Sequence, residues 1–152
     1  MIRIIRFFQD LFQLKIKVKS FEEFVNVLKR EACDEVTASA VVYKPQGEQS
    51  ATVGSIGTFK YFVVLTSKTP GGRSVTYQHL VIEQFGSTRG LSDWNDNSKA
   101  TVRTLVEADK MLRKIRKNIP EVGTTLLKPD GTPFSEELIK RLYKDAEKIG
   151  VI

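Results

Sequence analysis

A chain of 152 residues with 41% hydrophobic content is long enough for one domain with its own core, and two domains would be cramped. No run of 18 apolar residues occurs, so the sequence predicts no integral membrane segment. The single cysteine, Cys33, excludes an internal disulfide and favours the cytoplasm, where we expect it to be a small buried hydrophobe.

The net charge of +6 is concentrated in two blocks. Residues 1–19 carry five basic groups and one acid, and residues 98–118 carry seven basic groups and two acids. Concentrated positive charge attracts polyanions such as a phosphate backbone. The alternative is that these lysines and arginines only form solvated faces.

The chain begins with an amphipathic pattern that predicts a helix over 2–13. This helix would pack on the sheet or on a second subunit, or else lie on a membrane surface. Strict alternation of apolar residues and lysine then predicts a strand over 14–19. Its lysines, Lys15, Lys17 and Lys19, either protect a sheet edge from aggregation or contact phosphate.

A capping box, Ser20 to Glu23, predicts a helix over 21–32. A strand is predicted over 37–43. A long strand over 49–65 is expected to bend where Gly54 and Gly57 interrupt it.

The most strongly patterned stretch, Phe59–Phe85, predicts a long aromatic β-hairpin with strands ending near 65 and beginning at 74. Phe59 and Tyr61 should lie on one face and Phe62 on the other. If one face is open, its aromatic and basic side chains suit single-stranded nucleic acid, whereas helices on both faces would make the aromatics core. His79, the only histidine, has no second ligand for a metal site and is expected to be half-buried and bonded to a neighbour.

The polar loop 86–97 contains Arg89 and the only tryptophan, Trp94, which is either a stacking platform or a plug over the core. Asp93 and Asp96 lie in the same loop. They are most simply loop and cap residues, although a metal-dependent nuclease could use such acids.

Two amphipathic helices are predicted at the C-terminus, over 99–118 and 134–149, with Thr132 as the cap and Pro133 in the first turn of the second. One side of the first helix carries five basic residues without an acid among them, which favours an anionic partner. These residues are Lys110, Arg113, Lys114, Arg116 and Lys117.

Catalytic signatures are missing from the sequence. There is no phosphate-binding glycine loop between a strand and a helix and no nucleophile elbow. We therefore predict no cofactor and no metal, and an enzyme is the third hypothesis, after a binding protein and an interaction protein.

The order of elements, a leading helix, a bent aromatic antiparallel sheet and basic, zipper-like C-terminal helices, resembles the ThermoDBP group of archaeal single-stranded DNA-binding proteins. The resemblance implies an N-terminal α+β domain that binds the strand through a basic cleft with aromatics, and C-terminal helices that form a dimer. It assigns no individual residue.

The sequence thus predicts a single α+β domain, with a helix-plus-sheet core over 1–97 and a helical pair over 98–152. Its sheet should be antiparallel, with four or five strands around the aromatic hairpin. The first functional hypothesis is binding of single-stranded DNA or RNA, and the second is a homo-oligomeric structural protein that uses its amphipathic helices. The predicted nucleic-acid-binding residues are Lys60, Tyr61, Arg73, Tyr77, Arg89, Trp94, Lys110, Arg113, Lys114, Arg116 and Lys117.

Overall fold

The computed structural model describes residues 15–43, 56–87, 99–128 and 130–152. The predicted helix 2–13, the glycine at position 54 and the loop residues Arg89, Asp93, Trp94 and Asp96 lie outside these ranges. Eight elements follow one another along the described chain. They are β1 (Lys15–Lys17), α1 (Phe21–Arg30), β2 (Glu35–Tyr43), β3 (Ile56–Lys68), β4 (Ser74–Ser87), α2 (Lys99–Asn118), β5 (Gly123–Leu126) and α3 (Glu136–Lys148).

The five strands form one sheet in the order β1-β4-β3-β2-β5. Strands β2, β3 and β4 are antiparallel, whereas β1 is parallel to β4 and β5 is parallel to β2. The α+β class is therefore confirmed, but the expectation of an antiparallel sheet is wrong at both edges. Parallel edges arise because α1 and α2 each return the chain across the sheet before the next strand. Strand β5 was not predicted, since four residues are too few for a periodic signal.

Several predicted boundaries shift because local patterns compete with tertiary pairing. Strand β1 covers three residues rather than 14–19, and α1 ends at Arg30. Helix α3 begins later than predicted. Its N-cap is Ser135, whose hydroxyl accepts from the Leu138 amide at 3.2 Å, because Pro133 is held in a bridge to Leu127. The predicted span of α2, 99–118, is confirmed.

Helix α1 begins at the predicted cap. The Ser20 hydroxyl accepts from the Glu23 amide at 3.0 Å, while the Glu23 carboxylate accepts from the Lys19 amide at 3.0 Å rather than from Ser20. Two amide groups without a helical partner are thus satisfied at this terminus. The apolar stripe of the helix is buried against the sheet: Phe24, Val25, Val27 and Leu28.

Strands β3 and β4 form the predicted long hairpin, with 13 and 14 residues. The turn closes through a bond from the Thr69 amide to the Arg73 carbonyl at 2.9 Å, with Gly72 at φ 89°, where a side chain would be strained. A register shift lies between Tyr61 and Phe62. It does not coincide with Gly57, which pairs in register with Gly86.

One face of the sheet, called the inner face, carries the core. Its buried side chains alternate along each strand as half-buried strands require. They include Val36, Ala38, Phe59, Val63, Leu65 and Val75, each at most 1% exposed. Burying an aliphatic or aromatic side chain of this size contributes about 1.5–3 kcal/mol, so this face fixes the register of the central strands.

All three described helices lie on the inner side. Helix α1 contacts β4, and the Phe24 and Tyr77 rings are 6.4 Å apart. Helix α2 crosses β2, β3 and β5 and buries Leu112 and Ile115. Helix α3 packs on α2 and buries Leu142. None of the helices in the described ranges is long and apolar enough to cross a bilayer.

Candidate functional site

The opposite face of the sheet is called the outer face. Along each strand, its side chains alternate with those that point into the core. Cross-strand pairing arranges them in rows that run perpendicular to the strands. One row at the middle of β3 is apolar and aromatic, the next row toward the start of β3 joins Tyr43 to the Lys60–Glu83 ion pair, and two rows near the β3–β4 turn are polar and basic. We call the apolar row together with the Tyr43 ring the apolar end, and the two rows near the turn the basic end.

The apolar end is built by Val41, Phe62 and Leu80, which are directly opposite one another on β2, β3 and β4. Tyr43 lies in the next row, and its ring meets that of Phe62 edge to face, with centroids 5.1 Å apart. Tyr43 is 42% exposed and Leu80 41%. The Tyr43 hydroxyl accepts from the Gln78 side-chain amide at 3.3 Å, so this tyrosine lies across β3.

The basic end is a pair of rows rich in threonine and lysine. Lys15, Ser74 and Lys68 are paired in one row across β1, β4 and β3. The adjacent row contains Lys17 and four threonines, namely Thr76, Thr66, Thr37 and Thr125. These lysines are exposed and the threonines half-buried, which gives the sheet hydroxyl and ammonium donors on one surface.

Positive charge exceeds negative charge on the outer face. Its exposed acids are Glu35 and Glu83, and Glu83 pairs with Lys60 at 3.3 Å. Both members of that pair are about half exposed, so the pair contributes little to stability. Lys15, Lys17 and Lys68 form no ion pair with any acid in the described ranges.

Two residues predicted to stack on bases are instead core residues. Tyr61 is 3% exposed and Tyr77 9% exposed, and both belong to the inner face. Tyr77 is enclosed by Phe21 and Phe24 of α1, at ring distances of 6.5 and 6.4 Å. Side chains alternate along a strand, and on β3 the odd-numbered residues face α1 and α2. Phe62 therefore lies on the other face. Tyr61 and Tyr77 are therefore removed from the candidate site.

The two predicted sheet cations are exposed. Lys60 lies on the outer face, and Arg73 lies in the β3–β4 turn beyond the basic end. Arg89 and Trp94 lie outside the described residues.

The basic cluster of α2 is divided between two surfaces. Lys110, Lys114 and Lys117 are exposed on the side of the helix away from the sheet. Arg113 and Arg116 turn instead toward β5 and α3. Because α2 packs on the inner face, the cluster and the outer face are on opposite sides of the sheet, and they do not form one continuous surface.

Arg113 and Arg116 line a cleft of about 770 Å³ between the second half of α2, β5 and the beginning of α3. At its wall Asp109, only 3% exposed, accepts from Arg113 Nε at 2.9 Å and from the Tyr143 hydroxyl at 2.5 Å. The Arg113 guanidinium also lies 4.9 Å from the Tyr143 ring centroid. Burial, together with the Asp109 carboxylate, raises the pKa of Tyr143 far above its ordinary value.

His79 and Cys33 lie in the surroundings that the sequence predicts. His79 is half-buried, with Nδ1 3.4 Å from the Tyr77 hydroxyl. Cys33 is buried, and burial raises the pKa of its thiol, so the unreactive thiol form is favoured at neutral pH. Within the described ranges no group of three His, Cys, Asp or Glu side chains could hold a metal ion.

Sequence reasoning missed Tyr43 and Phe62 as members of one surface. The alternation along β3 places Phe62 and Tyr61 on different faces of the sheet. Only the cross-strand register brings Tyr43 beside Phe62. The cleft was missed as well, because Asp109 and Tyr143 are 34 residues apart and nothing in the local pattern joins them.

No protein-family model matches this chain, and neither the curated proteins nor the solved structures include a match.

Proposed function

We propose that this chain is a non-enzymatic nucleic-acid-binding protein that binds single-stranded DNA or RNA on the outer face of its sheet. One observation carries the proposal: the described helices all pack on the inner face, which leaves Tyr43 and Phe62 on the other face together with exposed lysines. A sheet face that carries exposed rings and cations is a common platform for single strands.

The chemistry of the two ends of the outer face fits a nucleotide chain. Bases stack on exposed rings for about 1–3 kcal/mol each, and Tyr43 and Phe62 supply adjacent rings. Phosphates attract ammonium groups over a Debye length of about 10 Å at 0.1 M salt, and Lys15, Lys17 and Lys68 supply them on the same surface. Inside a duplex the bases are paired and stacked on one another, whereas the bases of a single strand can stack on protein rings, so single strands are the proposed class.

The exposed lysines of α2 have a secondary role in this proposal. Lys110, Lys114 and Lys117 face away from the sheet, so they steer an approaching polyanion or contact distant phosphates of a long strand. The resemblance to the ThermoDBP group agrees with the proposed ligand, and cytoplasmic placement is part of the same proposal.

A second candidate function is self-association through the outer face. The row Val41, Phe62 and Leu80 is an apolar surface of the kind that forms interfaces. The amphipathic helices α2 and α3 are less suited to it, because their apolar stripes already pack on the sheet and on each other. Mass in solution distinguishes the two candidates: a dimer that dissociates in Leu80→Lys and has no affinity for oligonucleotides supports self-association.

The deciding experiment is fluorescence anisotropy with labelled oligo(dT) and oligo(U) of about 20 nucleotides and with a duplex of the same length, at about 50 and 200 mM salt. We expect submicromolar binding of the single strands at low salt, with weaker affinity at high salt and for the duplex. Micromolar or weaker affinity at low salt, or affinity independent of salt, would sink the proposal.

A further inference from the structure

The cleft between α2, β5 and α3 has the composition of a small-ligand site, and it shares Thr125 of the edge strand β5 with the outer face. Its volume of about 770 Å³ lies within the range of pockets that hold drug-sized molecules. Apolar side chains form one part of its lining, including Leu112, Val122, Phe134 and Ile139. Basic and hydroxyl side chains form the other part.

The polar part of the cleft has an excess of positive charge. Its lining acids are Asp109 and Glu136, and its lining bases are Arg113, Arg116 and Lys140. Arg113 is already paired with Asp109 at 2.9 Å. Glu136 is exposed and makes no ion pair with Lys140 or Arg116. Arg116 and Lys140 thus face the cleft from different helices as two cations without a carboxylate partner in the described ranges.

Arg116 is exposed, and one hydrogen bond ties its guanidinium to β5. Its Nη1 donates to the Thr124 hydroxyl of β5 at 2.5 Å, which anchors the guanidinium at the cleft wall. The remaining guanidinium nitrogens form a planar fork that matches a carboxylate or phosphate. An anchored arginine loses less freedom on binding than a solvated one, so it is a suitable anion receptor.

Strand β5 adds backbone donors to the same wall. The Gly123 and Leu127 amides donate to Asp34 and Ala38, toward β2. In a parallel ladder the intervening residues point the other way, so the Thr124 and Leu126 amides face away from β2, on the side of β5 that meets the segment before α3. The Leu126 carbonyl confirms this direction, because it accepts from the Phe134 amide at 2.9 Å on that edge.

We propose that this cleft binds a small organic anion, in which a carboxylate or phosphate monoester is joined to an apolar group. The anionic oxygens would contact Arg116 and Lys140, and the apolar group would pack on Phe134 and Ile139. Beside the cleft the buried Asp109 carboxylate accepts from Arg113 Nε and from the Tyr143 hydroxyl, which joins α2 to α3. The proposed contacts come from α2, α3 and the chain before α3 rather than from the outer face, and they do not depend on nucleic-acid binding.

The test is an NMR titration of the full chain with phenylacetate, phenyl phosphate and the neutral analogue phenylacetamide. We expect at least one of the two anions to bind with a Kd on the order of 1 mM, to shift the Thr124 and Leu126 amides, and to bind at least about tenfold more tightly than the amide. A preference for one anion identifies carboxylate or phosphate as the group recognised. Equal binding of phenylacetamide, or no shift with either anion, overturns the proposal.

Variants locate the anion. Arg116→Gln and Lys140→Gln each change an exposed side chain, so the fold should persist, and each should weaken anion binding about fivefold or more. The matched controls are Lys114→Gln on α2 and Lys144→Gln on α3, which do not line the cleft. Equal losses in the controls would mean that the anion responds to net charge alone. Phe62→Leu should leave anion binding unchanged, so failure of the nucleic-acid proposal would not affect this result.

Discussion

Neighbouring aromatic residues of β3 face opposite sides of the sheet. Those on one side stabilise the core, and the one on the other side belongs to the proposed binding surface. Phe59 and Tyr61 face the helices and are buried, whereas Phe62 faces the other way beside Tyr43. The same residue type thus supports the core at one position and the proposed ligand at another. Side chains alternate strictly along a strand, so a shift of one position moves a ring from the core to the outer face.

The largest expected effect contrasts two phenylalanines. Phe59→Ala should lower the free energy of unfolding by about 3–5 kcal/mol, because it leaves a cavity in a fully buried site. Phe62→Ala should lower it by only about 1 kcal/mol, since the ring is only partly buried, between Val41 and Leu80 and edge to face with Tyr43. Urea unfolding of both variants measures the difference. Equal losses would mean that the outer face is covered in solution.

The affinity for single strands should show the reverse order. Phe62→Leu keeps an apolar side chain but removes the ring, and it should weaken oligo(dT) binding by about 1–3 kcal/mol, roughly 5- to 150-fold. Phe134→Leu is the control, because Phe134 lies by the cleft on the other side of the sheet. Anisotropy titrations measure both. Unchanged affinity in Phe62→Leu would remove this ring from the proposed interface.

The next prediction concerns the stability of the packing between α2 and α3, where Tyr143 donates to the buried Asp109 carboxylate. Tyr143→Phe removes a donor to Asp109 and should lower the free energy of unfolding by about 1–2 kcal/mol at neutral pH. Because the pKa of Tyr143 is raised in the folded state, its contribution is fully present below about pH 10 and is lost as the pH rises above that value.

Unfolding experiments from pH 8 to 11 check this behaviour, since the ordinary pKa of tyrosine, about 10, lies within that interval. The wild-type chain should lose more stability than Tyr143→Phe over the upper part of that interval. Parallel curves for the two proteins would contradict the assigned hydrogen bond. Oligonucleotide affinity at neutral pH should not change, since this cluster is remote from the outer face.

The smallest expected effect concerns the basic end of the outer face. Lys17→Gln combined with Lys68→Gln should reduce the slope of log K against log salt by about 0.7 for each phosphate that is no longer neutralised by a lysine. Lys148→Gln on α3 is the control, because it is exposed on a different surface. A slope that falls equally in the control would indicate a response to total charge.

Local sequence patterns predicted much of the fold, because helix caps and the periodicity of helices and strands depend on residues that are close in sequence. The Ser20 cap, the span of α2 and the long hairpin follow from capping and periodicity. The alternation rule also separated Phe62 from Tyr61. It could not say which parity faces helices, since that depends on contacts between Tyr77 and α1 that form only in the folded chain.

Long-range pairing was beyond the sequence for the same reason. Strand β5 is stabilised by its bonds to β2 rather than by its own four residues. The absence of acids among the α2 arginines and lysines was also misleading, because Asp109 lies one turn before Arg113 and is buried against Tyr143.

The account depends most on the claim that single strands bind the outer face, and methyl NMR with oligo(dT) tests it directly. Val41, Val64 and Leu80 lie on the outer face, whereas Val63 and Leu65 lie in the core between the sheet and α2. We expect the methyl signals of the first group to shift on binding and those of the second to stay in place. Shifts confined to α2, or no shifts at saturating oligonucleotide, would contradict the account.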